Sequence, residues 1–166
     1  MAANAIDIEE DILAPENFSM VEPGVFRSSF PRSKNMGFIK RLHLRTVISL
    51  VPEEYPDYLI EFYDSCGTQL ITHALEGNKG PFKQIDEVDF CKALRTILEL
   101  SNRPLLIHCN KGKHRTGCLI GCLRIHRGWS ISSVVAEYIL FADPKARLED
   151  QRYIEAFDFH RVLEIL

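Results

Sequence analysis

Apolar residues along this chain recur with two different periods, and the alternation between them predicts an α/β domain. Short β-branched and apolar runs at Phe18–Val21, Val25–Ser28, Thr46–Val51, Gln69–Leu75 and Pro104–His108 have the length of strands. The first two flank Pro23 and Gly24, a pair that presets φ and accepts positive φ, so they predict a hairpin. Thr46–Val51, stopped by Pro52, is apolar without alternation, the pattern of a strand buried on both faces. Helical spacing lies between these runs. It covers Ser33–Leu42 after Pro31, and then a helix opened by Pro56, with Leu59, Ile60, Phe62 and Tyr63 on its apolar side and Gly67 beyond its end. Gln84–Leu100 follows with Val88, Cys91, Leu94 and Leu98 on one face, then Thr116–Arg127 closed by Gly128, and finally Ser130–Phe141 and Leu148–Leu166. Glu76–Phe82, holding Gly77, Gly80 and Pro81, reads as a loop. Strands alternating with helices need crossover connections. The expected fold is therefore three layers, a mostly parallel central sheet with helices on both faces, binding ligands beyond the carboxyl ends of its strands.

Length and composition limit this to one domain. A chain of 166 residues with 46% apolar and 26% charged residues has the material for a single core, which excludes disorder as its overall description. Residues 1–17 are acidic and aperiodic and are expected to form a mobile leader or a loosely held strap; residues 18–166 form the domain. No apolar run approaches the roughly 20 residues that cross a bilayer, so no stable membrane insertion is expected. Met1–Glu10 is acidic where a secretory signal would be basic and then apolar. Five cysteines, an odd number without zinc-type pairing, fit reduced thiols in a cytoplasmic setting, the nucleus being a second compartment.

The formal net charge of −3 hides a segregation. Residues 1–22 hold six acids and no base, whereas residues 100–136 hold six bases and no acid. Basic residues interleaved with aromatics, the mark of a nucleic-acid surface, are missing, so no nucleic-acid partner is expected. The positive stretch instead surrounds one string of residues, His108-Cys109-Asn110-Lys111-Gly112-Lys113-His114-Arg115-Thr116-Gly117.

A strand that stops at a cysteine, then a five-residue loop, an arginine and a hydroxyl residue opening a helix, suits phosphoryl transfer. The amides of Asn110, Lys111, Gly112, Lys113 and His114, with the positive end of the following helix, can cradle a phosphate-sized dianion. The same field favours the thiolate, the nucleophilic form of Cys109. Cys109 would attack phosphorus in line, giving a phosphocysteine that water cleaves. Arg115 offers a planar fork to two phosphoryl oxygens, and Thr116 a hydroxyl to the sulfur. Gly112 and Gly117 would let the backbone turn tightly and the helix approach the sheet. A nucleotide-binding loop is disfavoured, because Gly, four residues and Gly-Lys-Ser/Thr do not occur. His108 is expected to support the loop rather than react. Cys118 and Cys122, four apart on a helix, read as core thiols, with a redox partnership to Cys109 as the lesser alternative.

HCNKGKHRTGCLIGCLR, with GVFRSSFP upstream, EGNKGPF between and FADPKARLEDQRYIE downstream, resembles the plant and fungal atypical dual-specificity phosphatases of the cysteine-dependent protein tyrosine phosphatase superfamily, from about Asn17 to Asp158. The resemblance implies a protein tyrosine phosphatase-like fold, no metal or other cofactor, Cys109 as nucleophile and Arg115 as the phosphate-binding, transition-state residue. It also implies removal of the β-phosphate of inositol pyrophosphates, chiefly a 5-diphosphate, beside weaker activity on phosphotyrosine-type substrates. The alternative is a tyrosine or dual-specificity phosphatase of phosphoproteins. Lys79, Lys145 and Arg147 would extend a cationic mouth from other loops at the same sheet edge. The wider superfamily places an acidic residue about thirty positions before the nucleophile; here Glu76 is the only carboxylate in that loop, and Asp86 follows at the next helix. Either is at most a weak general acid, since an inositol phosphate leaves more readily than an alkoxide. A phosphate-sensing module without turnover is disfavoured by the intact Cys109, Arg115 and Thr116.

Overall fold

The computed structural model describes residues 12–80 and 84–165; residues 1–11, with most of the acidic leader, and Pro81 and Phe82 of the expected loop lie outside them. Among the described residues five strands form one sheet: β1 (Ser19–Glu22), β2 (Val25–Ser28), β3 (Thr46–Ser49), β4 (Gln69–Thr72) and β5 (Leu105–His108), in the order β1-β2-β5-β3-β4. β1 and β2 form the expected antiparallel hairpin through Gly24, at φ 78°. Every other pairing is parallel. Ser28 of β2 and Ser49 of β3 both lie opposite His108, so three strands end level with one another and their continuations leave the sheet at one edge.

β3 and β5 are buried at every position, as continuous apolar runs require. On one face Val47 and Leu106 pack with Ile39 of α1 (Met36–Arg41) and with Leu59 and Tyr63 of α2 (Asp57–Ser65). On the other, Ile48, Leu105 and Ile107 pack with α3 (Glu87–Leu98), α4 (Arg115–His126), α5 (Ile131–Ala142), α6 (Leu148–Ala156) and α7 (His160–Glu164). α4 is the middle of this layer: Thr116 to Leu123 are all buried. A Cβ on Gly117 would stand 2.9 Å from the Tyr138 ring, so this glycine serves close approach of α4 to α5, not to the sheet. None of the described helices is long and apolar enough to cross a membrane.

Several boundaries differ from expectation for local reasons. Ser33–Asn35 is a 3-10 turn that precedes α1. Pro56, with extended ψ, is the N-cap of α2, so the helix begins at Asp57, one residue later than expected. α3 begins at Glu87 because the Asp86 carboxylate accepts the Asp89 amide, an N-cap that ends helical backbone there. The last helix is broken in two: Phe157 is extended, the Asp158 carboxylate accepts the His160 amide, and Phe157 and Phe159 turn into a ring cluster with Phe90 and Tyr153. Packing of those rings overrides a continuous helical pattern. The described end of the leader is not loose either. The Ser29 amide donates to Glu16 O, the Asn35 side chain to Leu13 O, and the Asn17 side chain to Lys111 O, which ties this segment across the sheet edge.

Candidate active site

The carboxyl edge of the sheet builds the site around one loop. β5 ends at His108, the chain turns through Cys109–His114, and α4 starts at Arg115. Cys109 is buried at 2% exposure, and the Gly112 amide points at its Sγ from 3.2 Å. Gly112 holds φ 69°, and a Cβ there would stand 2.7 Å from the backbone of Ser28 and Ser29. Only glycine fits, both for the left-handed backbone and for contact with β2. The β2 end grips the loop twice more. The Phe30 amide donates to Asn110 O, and Arg27 Nη2 donates to Gly112 O at 3.0 Å.

Behind the loop runs a chain of buried polar groups whose directions are fixed by their acceptors. His108 Nδ1 lies 3.1 Å from Cys109 O, which can only accept, so Nδ1 carries the proton. Nε2 then accepts from the Tyr55 hydroxyl at 3.0 Å, leaving Tyr55 to accept from the Tyr63 hydroxyl at 3.3 Å. Burial pulls His108 down to about 4, with the Arg115 charge acting the same way against the favourable Cys109 carbonyl. The ring is neutral and orients the loop.

Thr116 departs from its expected contact. Its hydroxyl is fully buried and has no hydrogen-bond partner among the described residues; the donor to Cys109 Sγ is Gly112 N–H. Arg115, half-buried, directs Nη1 to Leu50 O at 3.4 Å and Leu75 O at 3.2 Å, the carbonyls just past β3 and β4. Those bonds hold the guanidinium at the sheet edge and leave its other donors for oxygens of a bound anion.

The remaining basic residues divide. Lys113 Nζ donates to Asp143 O, and His114 Nε2 donates to Lys145 O at 2.6 Å, so both side chains fasten the nucleophile loop to the segment 143–147. Burial lowers His114, and the Lys145 carbonyl only partly offsets it. Lys111, Lys79 and Lys145 are exposed. Arg147 Nη1 comes within 3.4 Å, and the Lys79 Cε within 3.9 Å, of where a Cβ on Gly77 would be, so these two side chains from separate loops approach each other over Gly77. Exposed Glu76 lies in the same segment, and Asp86 caps α3.

What fixes these loops was not read from the sequence. Asp150 of α6, with no exposed surface, accepts from the Tyr138 hydroxyl and from Asn78 Nδ2 at 3.0 Å. Asn78 Oδ1 accepts the Ile85 amide, and Tyr138 also accepts the Arg147 amide at 3.1 Å. One buried carboxylate thus pins both flanking loops. Its signal lay within FADPKARLEDQRYIE, as an acid spaced one helical turn from apolar core positions. Cys118 and Cys122 sit in the core, where burial pushes both thiols well above their ordinary range. All five cysteines are free.

A loop of this shape can hold a tetrahedral dianion, and a thiol at its base can attack phosphorus in line. That is the chemistry of cysteine-dependent phosphatases, and the three-layer fold carrying it is theirs. A model of the tyrosine phosphatase family matches residues 12–165. Inositol diphosphatase SIW14 of Saccharomyces cerevisiae is 45% identical over 159 residues, which cover 95% of this chain and 57% of the yeast protein. Inositol diphosphatase DSP1 of Oryza sativa subsp. japonica is 45% identical over 147 residues, 89% of this chain and 66% of that protein. The solved catalytic core of Siw14 matches with a TM-score of 0.88 at 45% identity, over 93% of this chain and 92% of that one. The chain belongs to the tyrosine phosphatase family, and it spans 57% and 66% of the length of these two curated relatives.

Proposed function

We propose that this chain removes the β-phosphate of an inositol pyrophosphate, preferring a 5-diphosphate, by way of a phosphocysteine. The observation that supports the reading is the approach of Lys79 and Arg147, from two separate segments, over Gly77; with exposed Lys111 and Lys145 they would extend a cationic mouth beside the Cys109–Arg115 loop. A single phosphotyrosine presents one dianion to Cys109–Arg115 and has no use for the rest. A ring bearing several phosphates does. The names of the yeast and rice relatives point to the same substrate class.

In the first step Cys109 Sγ bonds to the β-phosphorus as the bond to the bridging oxygen breaks, and the electron pair leaves on the inositol phosphate. The loop amides and the Arg115 fork hold the equatorial oxygens, where charge is spread in the transition state. Water then attacks the phosphocysteine, returning the thiolate and releasing inorganic phosphate. The leaving group is already a stable anion, so protonation by Glu76 or Asp86 has little left to contribute.

The test is phosphate release from the 5-diphosphate, a phosphotyrosine peptide and phosphoinositide vesicles at matched concentration, with Cys109→Ser as the blank. A clear preference for the 5-diphosphate is expected. Preference for the peptide or the vesicles by a wide margin overturns the reading.

A further inference from the structure

Arg27 stands out as a buried charge with little to hold it. It lies on β2, is 1% exposed, stacks its guanidinium 3.9 Å above the Phe141 ring, and among the described residues makes one side-chain hydrogen bond, to Gly112 O. Its Nε has no partner among the described residues. Two other charged groups face it. Glu137 of α5 is a counter-ion already gripped in a two-point fork by Arg124 of α4, at 3.2 and 3.1 Å, and Arg124 itself is a like charge. A buried guanidinium with its nearest carboxylate so engaged is costly unless another anion shares the site. Burial draws Arg27 down to about 10, with Glu137 and Cys109 acting in the opposite sense, so it remains a cation at neutral pH.

Gly112 joins the two sides. Its carbonyl accepts from Arg27, its amide donates to Cys109 Sγ, and its Cα rests on Ser28, the neighbour of Arg27. We infer that Arg27 is a positioning residue of this site: it holds Gly112 so that its amide stays aimed at the sulfur, and it supplies a buried positive charge for the Cys109 thiolate. Arg115 faces the substrate from the front of the loop; Arg27 acts on the nucleophile from behind, through Gly112 and through the field.

The experiment follows alkylation of Cys109 by iodoacetamide in a Cys66→Ser background, which removes the exposed thiol, and records the rate across a pH series from about pH 4 to about pH 9. Arg27→Gln keeps a donor and drops the charge, Arg27→Lys keeps the charge, and Arg27→Met keeps neither. The midpoint of the rate profile is expected to move upward by roughly one pH unit in the Gln and Met variants and to stay within about half a pH unit of the parent in the Lys variant. An unmoved midpoint in Gln and Met, or a Lys variant that moves as far as Met, overturns the inference. If the Met variant does not fold, the Gln and Lys pair decides alone. No substrate enters the assay, so the outcome is independent of the substrate proposed above.

Discussion

Replacing His108 by glutamine tests the polar chain behind the nucleophile loop, and its size follows from where the ring sits. The folded ring is fully buried, donates to Cys109 O and accepts from Tyr55, and is held down to about 4. In the unfolded chain a histidine titrates near about 6.5. The neutral ring therefore favours the folded state fully above about pH 6.5, and that contribution erodes as the unfolded chain takes up a proton at lower pH. The linkage amounts to about 2 kcal/mol lost by pH 5 and roughly 3 kcal/mol by pH 4. Urea unfolding at about pH 7.5 and pH 5 measures it. The wild type should lose about 2 kcal/mol more than His108→Gln between those two values. His73, His114 and His126, each lowered by burial, are shared by both proteins and cancel in the difference. At pH 7.5 the variant should be less stable by about 1–3 kcal/mol, because one amide group cannot stand at both ring-nitrogen positions and so leaves either Cys109 O or the Tyr55 hydroxyl without its partner. Equal losses in both proteins on acidification would refute a neutral, load-sharing His108.

Gly112→Ala puts a methyl 2.7 Å from backbone atoms of β2 at φ 69°, so it should cost about 2–5 kcal/mol in thermal or urea unfolding and about a hundredfold or more in turnover. Asp150→Ala strands the Tyr138 hydroxyl and Asn78 and frees both flanking loops; a stability loss of about 3 kcal/mol and a rise in KM larger than the fall in kcat are expected from steady-state kinetics. Glu76→Gln and Asp86→Asn should each retain most of the turnover that Cys109→Ser abolishes; a loss equal to that of Cys109→Ser in either would show that protonation of the leaving group is required. Stability measured alongside separates the Asp86 effect on the α3 cap, about 1 kcal/mol.

The elements that the sequence made legible are those fixed by local pattern. Thr46–Ser49 and Leu105–His108 are legible as strands because Val47, Ile48 and Leu105 to Ile107 are consecutive apolar residues that face both sides of the sheet, and the hairpin at Gly24 because its turn chemistry is unambiguous. The nucleophile loop was visible for the same reason, since Cys109, Gly112 and Arg115 are close in sequence and each has a chemical role at that spacing. Contacts between distant segments were not visible. Arg27 and Gly112 are 85 positions apart, and Asn78 and Asp150 72 apart, and no periodicity marks a pair that meets only after folding. The split between α6 and α7 was hidden because Phe157 and Phe159 satisfy a helical pattern equally well; their rings chose the cluster around Phe90.

Charge shows most clearly what folding adds. The six bases between residues 100 and 136 look like one positive region when read along the chain. The parallel topology divides them, because β5 runs toward the site and α4 runs back from it. Arg103 at the start of β5 and Arg127 at the end of α4 both bind Glu22, and Arg124 binds Glu137. Three of the six bases are therefore engaged, away from the nucleophile, by two carboxylates. Lys113 gives one of its donors to Asp143 O and keeps its charge, so Lys111, Lys113 and Arg115 are the bases of that stretch outside these ion pairs. Further cations stand on other segments: Lys79 on the one after β4 and Arg147 on the one before α6, their side chains approaching each other over Gly77, while Arg27 lies beneath the loop, bonded to Gly112 O. The segments that carry Lys79 and Arg147 are tied down by Asp150, through Asn78 and through the Tyr138 hydroxyl that accepts the Arg147 amide. An acid that a charge count sets against anion binding is thus the group that anchors the backbone beneath two of the cations.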